Sequence, residues 1–170
     1  MSEGKSNFNS NNTGILLISH GSRLPLSSET INKLAEMYRQ ETNFKVGVGY
    51  MEIHEPNIPK ALDILVKGTE IDTVIAVPVF LAHGMHTTRD IPKILRLNEE
   101  DNEEDSNNQN HHSHNHENKD ESSHSHHHHH HHHDLEKINF DGKIIYTEPL
   151  GADPLVLEII KNRVDNALNQ

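Results

Sequence analysis

Two short segments carry side chains able to bind a transition metal: His20-Gly21-Ser22-Arg23 and Leu81-Ala82-His83-Gly84-Met85-His86. Neutral imidazole suits cobalt, nickel and zinc, and histidine also accepts and releases protons near neutral pH. His20 follows an apolar run and precedes a glycine that lets a ligand approach the backbone. A structural histidine bonded to a neighbouring loop is the plain alternative. His86 lies three residues after His83, and either imidazole could reach an ion. Two histidines are an incomplete ligand set, so a metal here is either loosely held or completed by a substrate. Glu55, directly before Pro56, is a candidate proton acceptor or orienting acid; the alternative is a solvated loop acid near a helix N-terminus. His54 beside it reads as an exposed loop residue. Arg23, Thr87, Thr88 and Arg89 could donate to an anionic substrate, or be ordinary surface groups.

These segments need elements to hold them. Gly14–Ser19 is a continuous apolar run, the pattern of a strand buried on both faces. Ser27 to Glu41 places Ile31, Leu34, Ala35 and Tyr38 at helical spacing, with Ser27 or Ser28 as cap. Lys45–Met51 alternates like a strand. Pro56 opens a helix with Ile58, Ala61, Leu62 and Leu65 on one face, closed by Gly68. Thr73–Leu81 is the most apolar strand, and its Pro78 removes a ladder donor, so regular pairing should stop nearby. Asp90 is placed to cap a short helix carrying Ile91, Ile94 and Leu95. Lys143–Thr147 reads as a fourth strand. Asp153 and Pro154 form a cap and first-turn pair for a last helix, with Val156, Ile159, Ile160 and Val164 turned inward.

Strands alternating with helices imply an α/β fold: a doubly wound, mainly parallel four-stranded sheet flanked by helices. A sheet of this kind takes the order 2-1-3-4, which reverses between strands 1 and 3. Ligands bind at such a switch point, outside the carboxyl ends of the strands. The segments leaving strands 1 and 3 are the two histidine-bearing loops, so topology alone puts His20 and His86 side by side.

Composition narrows the classes. The chain has 170 residues, 17 of them histidine, no cysteine and a formal net charge of -11. Thirteen histidines lie between residues 98 and 137: His111, His112, His114, His116, His124 and the run His126–His133. Residues 98–141 hold twelve acids against Lys119 and Lys137, which accounts for nearly all the net charge. The stretch 98–137 is too polar to offset the entropy of ordering it and reads as a disordered acidic and His-rich insert. Residues 1–13 read as a disordered extension for the same reason, leaving a single domain over 14–170 interrupted by the insert. Disordered polyhistidine binds nickel, cobalt, copper and zinc without fixed geometry, which suits a reservoir or delivery arm better than a reaction centre. An engineered tag is the alternative, but a strand and a helix follow this run. The rest of the chain is near neutral, with no basic patch for nucleic acid. Without cysteine there are no disulfides or thiolate metal sites. No apolar run approaches the roughly 18 residues of a membrane span and no secretion signal is evident. A cytoplasmic protein is expected.

The stretches SHGSRLP (19–25), MEIHEPNIPKAL (51–62), VPVFLAHGMHTTRDIP (77–92) and YTEPLGADP (146–154) resemble the archaeal small-form sirohydrochlorin chelatases. The likeness covers roughly Gly14 to Leu168, including a His-rich insert in the same place. It implies insertion of Co2+ or Ni2+ into sirohydrochlorin, serving cobalamin or nickel-tetrapyrrole synthesis, with no cofactor beyond the substrate metal. It implies that His20 is proton acceptor and metal contact, and that His86 is the second metal contact. It further implies that Glu55 contacts the tetrapyrrole, that Leu81, Ala82, His83, Gly84, Met85 and His86 line the substrate, and that two chains form a homodimer. The macrocycle would supply four nitrogens to the ion and lose two N–H protons. Imidazole accepts both metals, so the residues leave cobalt and nickel open. Two other classes remain to be set against this. A metallochaperone or metal store acting through the polyhistidine would survive loss of His20 and His86 but not of residues 98–137. A histidine phosphatase, suggested by HGSR, lacks the usual arginine before the His-Gly pair, where Ser19 stands.

Overall fold

The computed structural model describes residues 8–97 and 138–169. Its elements run β1 (Thr13–Ser19), α1 (Pro25–Glu41), β2 (Lys45–Tyr50), α2 (Ile58–Val66), β3 (Thr73–Pro78), a π-helical turn (His86–Asp90), α3 (Ile91–Ile94), β4 (Lys143–Tyr146) and α4 (Pro154–Leu168). The four strands are parallel in the order β2-β1-β3-β4, as the alternation of elements requires. Ser19 lies opposite Tyr50, Ile18 opposite Pro78, and Ala76 opposite Tyr146. The carboxyl ends of all four strands therefore share one edge.

Each face of the sheet has its own core. On one, α2 and α3 bring Ile58, Leu62, Leu65, Ile91 and Leu95 against Leu16, Ile18, Val74 and Ala76. On the other, Ile31 and Ala35 of α1 meet Ile15, Leu17, Val46 and Val48. Alternate residues of β1 thus enter opposite cores, which is why that strand is apolar throughout.

Several boundaries differ from the pattern-based expectations. Helix α1 begins at Pro25, and neither Ser27 nor Ser28 caps it; Ser28 Oγ instead donates to the Pro25 carbonyl at 2.8 Å. Proline at the first turn has a fixed φ and no N–H to satisfy, so the helix starts two residues early. Pro56 stays outside α2, whose cap is Asn57, with its side chain accepting from Lys60 N at 3.0 Å. Asp90 does not cap α3, because the π turn runs straight into that helix and the carboxylate points back to His86. Asp153 does cap α4, accepting from Leu155 N at 2.8 Å. Residues 9–13 of the expected disordered extension are ordered: Thr13 N bonds Asn9 O, and Asn12 O accepts from Asp72 N and Thr73 N. Residues 1–7 and the insert 98–137 lie outside the described residues.

The largest departure is α4. Val156, Ile159, Ile160 and Val164 were expected to face the sheet, but no residue of α4 is buried. The stripe exists in sequence, yet the helix does not pack on the sheet. Ile75, Val77 and Ile145, on the face that α1 covers only in part, stay half-buried.

Candidate metal centre

His20 and Glu52 are brought together by β1–β2 pairing that continues beyond the strands. Met51 N donates to Ser19 O and Glu52 N donates to His20 O, both at 3.0 Å. Gly21 makes this approach feasible: its φ is +91, and a Cβ there would lie 2.0 Å from the Glu52 carbonyl oxygen. Just beyond, Ile53 has φ +69, and His54 N donates to Glu52 O at 2.7 Å in a tight γ-turn. A β-branched residue at positive φ is strained, and this turn follows directly on Glu52, whose carboxylate lies with the His20 and His86 rings.

His86 arrives from β3. Its ring sits edge-on to that of His20, with centroids 4.9 Å apart and planes at 67°. His20, Glu52 and His86 each place a ligand atom within 4.8 Å of the others. Both rings are oriented from behind: His20 Nδ1 lies 3.1 Å from Gly21 O, and His86 Nδ1 lies 2.9 Å from Asp90 Oδ2. Donation from each Nδ1–H leaves each Nε2 lone pair free, the tautomer that a metal requires. Burial acts to raise the Asp90 pKa, but hydrogen bonds and charges from Arg89 and His86 outweigh it and hold the carboxyl below its ordinary range. Asp90 stays ionised behind the imidazole, which strengthens the ring as a donor.

The other expected residues fall out differently. Glu55 is not in the cluster. It is exposed and turned to the start of α2, accepting from Asn57 N (3.1 Å) and Lys60 Nζ (3.3 Å). Those hydrogen bonds hold its carboxyl below the usual range. Glu55 borders an open groove of about 820 Å³ along α2, with Lys60, Ile64 and Lys67, away from the imidazoles. His83 turns from His86 toward the β4 exit loop, where its Nε2 meets Glu148 Oε2 at 2.5 Å. Leu81 and Met85 are exposed on the segment that leads to His86, as are Leu24 and Ile53 on the segments after His20 and Glu52. The backbone of Gly84 brackets Thr87 Oγ1, with Gly84 N donating to it at 2.9 Å and Gly84 O accepting from it at 3.0 Å. Ala82 is exposed on the same loop. His54 is half-buried against the Tyr50 ring, not free in a loop.

Glu52 was missed from sequence. Its signal was available: it stands two residues past β2, and β2 adjoins β1 in the order 2-1-3-4. Only the register, Ser19 opposite Tyr50, places it across from His20.

Two imidazoles and one carboxylate at the switch point of a parallel α/β sheet form a group that could hold a metal ion with coordination positions left open. The sequence model of the CbiX family matches residues 14–167, and the chain belongs to that family. Among its relatives, the sirohydrochlorin cobaltochelatase of Methanothermobacter thermautotrophicus is 48% identical over 91% of this chain and 92% of its own. That of Methanopyrus kandleri is 43% identical over 92% of this chain and 97% of its own. Of solved structures, the CbiX protein of Marinobacter aquaeolei VT8 superposes with a TM-score of 0.59 at 25% identity, covering 92% of this chain and 98% of that one. The sirohydrochlorin chelatase SirB from Bacillus subtilis, solved with cobalt, shares the fold with a TM-score of 0.60 at 20% identity. This chain covers 50% of SirB, with 91% of its own length matched.

Proposed function

We propose that this chain is a sirohydrochlorin cobaltochelatase, and that His20, Glu52 and His86 present the ion to the macrocycle. The observation that carries this is the three-donor cluster at the switch point, together with the relatives' shared activity. Three protein donors hold a divalent ion while leaving positions that ring nitrogens can take. The macrocycle loses two N–H protons as the ion enters, and the lone pairs that the departing ion frees on His20 Nε2 and the Glu52 carboxylate are the adjacent acceptors. Catalysis then comes from holding a partly dehydrated ion against the ring and giving its protons a destination. The exposed apolar side chains Leu24, Ile53, Leu81 and Met85, on the segments that carry His20, Glu52 and His86, suit a flat, largely apolar ring. Glu52 takes the role expected of Glu55. Nickel is accepted by the same donor set and is proposed as a second substrate metal.

Absorbance-monitored insertion of Co2+ into sirohydrochlorin tests the reading. His20→Ala and Glu52→Gln are expected to lose about 10²-fold or more in rate, and Glu55→Gln markedly less. Wild-type rates in His20→Ala and Glu52→Gln refute the mechanism, and a larger loss in Glu55→Gln returns the acid's role to that residue.

The active form is proposed to be a homodimer joined through α4. A 15-residue helix in water is marginal unless its apolar face is packed, and this one leaves Leu157, Ile159, Ile160 and Val164 half or more exposed. The same chain leaves Ile75, Val77 and Ile145 half covered, a sheet face of matching chemistry. Each α4 laid on the partner's sheet would cover both, at about 1 kcal/mol per half-exposed side chain. Sedimentation analysis should find a dimer in wild type and a monomer in Ile160→Glu; a monomeric wild type refutes it.

A further inference from the structure

The side-chain hydrogen bonds of the turn that carries His86 are mostly made within it. Asp90 orients the His86 ring from within the turn, and the Thr87 and Thr88 hydroxyls both bond the Gly84 carbonyl just before it. None of these contacts fixes the turn relative to the sheet that carries His20 and Glu52.

Pro92 explains both the shape of the turn and its one unmet need. In an α-helix Pro92 would face the Thr88 carbonyl without an N–H to give. The ladder shifts instead to π spacing, with Ile91 N donating to His86 O. That shift takes the ordinary partner of the Thr87 carbonyl, and the next donor along, residue 92, is again the proline. Thr87 is buried, so its carbonyl needs a donor from outside the turn. Tyr146 provides it: the phenol, reaching from β4, donates to Thr87 O at 3.0 Å.

We infer that Tyr146 is a positioning residue for His86, fixing the π turn to the sheet and so setting the distance from His86 to His20 and Glu52. This rests on the metal-centre reading above. The residue is well placed for it. Tyr146 pairs with Ala76 in the β3–β4 register, so the strut runs from the same sheet whose extended β1–β2 edge holds the other two donors. Burial, with the Glu148 charge nearby, pushes the phenol pKa up to about 12, so it remains a donor at working pH. Phenylalanine at 146 would keep the ring packing and remove only the strut.

The test is Co2+ binding to the full chain without tetrapyrrole, by calorimetry and by the visible absorption of the bound ion. Tyr146→Phe is expected to weaken binding at the three-donor site about tenfold and to shift the cobalt absorption, with unchanged far-UV circular dichroism. In turnover, KM for cobalt should rise by a similar factor while kcat changes less. Pro92→Ala supplies the missing N–H, so in that background Tyr146→Phe should have a much smaller effect. His20→Ala marks the signal of the three-donor site against metal bound elsewhere. Wild-type cobalt affinity and absorption in Tyr146→Phe overturn the inference, even if thermal stability falls, and leave the metal centre standing. The same loss in both backgrounds overturns it too. If His20→Ala binds cobalt as wild type does, the metal centre itself fails and this inference with it.

Discussion

Replacing Gly21 with alanine should break the site at its base. The new Cβ would stand 2.0 Å from the Glu52 carbonyl oxygen, and contact below 3.0 Å is not tolerated. The backbones must part by about 1 Å to reach tolerable contact, and the carbonyl is not free to swing, because it accepts from His54 N at 2.7 Å. The Glu52 N–His20 O bond of 3.0 Å is therefore the one to yield, at about 1 kcal/mol. The φ of +91 adds about 1–2 kcal/mol for a residue with a Cβ. With residual strain the sum is about 3 kcal/mol, readable as a lowered urea midpoint. The functional loss should be larger, since a displacement of about 1 Å between reacting groups can cost on the order of 10²-fold. Gly68→Ala is the internal control. Gly68 has φ +70, but a Cβ added there would meet nothing within 4 Å. Only the backbone cost then applies, about 1–2 kcal/mol, with cobalt affinity intact. If Gly21→Ala unfolds and binds cobalt like Gly68→Ala, the clash is relieved without disturbing His20 and Glu52, and the reasoning is wrong.

Asp90→Asn should weaken cobalt binding about 10-fold or more, because the anion that orients and polarises His86 is lost; calorimetry against wild type decides it. The Asp90 pKa is lowered on folding, so its contribution to stability is complete above about 4, its unfolded value. That contribution disappears as pH falls through the lower folded value, and urea midpoints of wild type and Asp90→Asn should converge at the acid end. Asn57→Ala should cost about 1 kcal/mol by removing the α2 cap, while leaving cobalt affinity unchanged; a loss of affinity would mean that α2 supports the metal centre.

Most of the architecture was legible in the chain. Continuous apolar runs marked β1 and β3, helical spacing marked α1 and α2, and the alternation of elements dictated a parallel sheet in the order β2-β1-β3-β4. From that order alone, His20 and His86 could be placed together, and their rings do meet at 4.9 Å. These readings succeed because burial on a face repeats with the local period of the backbone.

What the tertiary structure decided lies where no local period reaches. That Glu52 stands beside the two imidazoles, and Glu55 does not, depends on β1–β2 register past the strand ends, where Glu52 N donates to His20 O. The π turn follows from Pro92, but its anchor is a phenol 59 residues from Thr87. The apolar stripe of α4 is plain in the sequence, but its own sheet leaves it uncovered. An amphipathic pattern records that a face must be buried, not by what. His20 and His86 are thus written into the sequence; their third partner and the support that aligns them exist only once the sheet has formed.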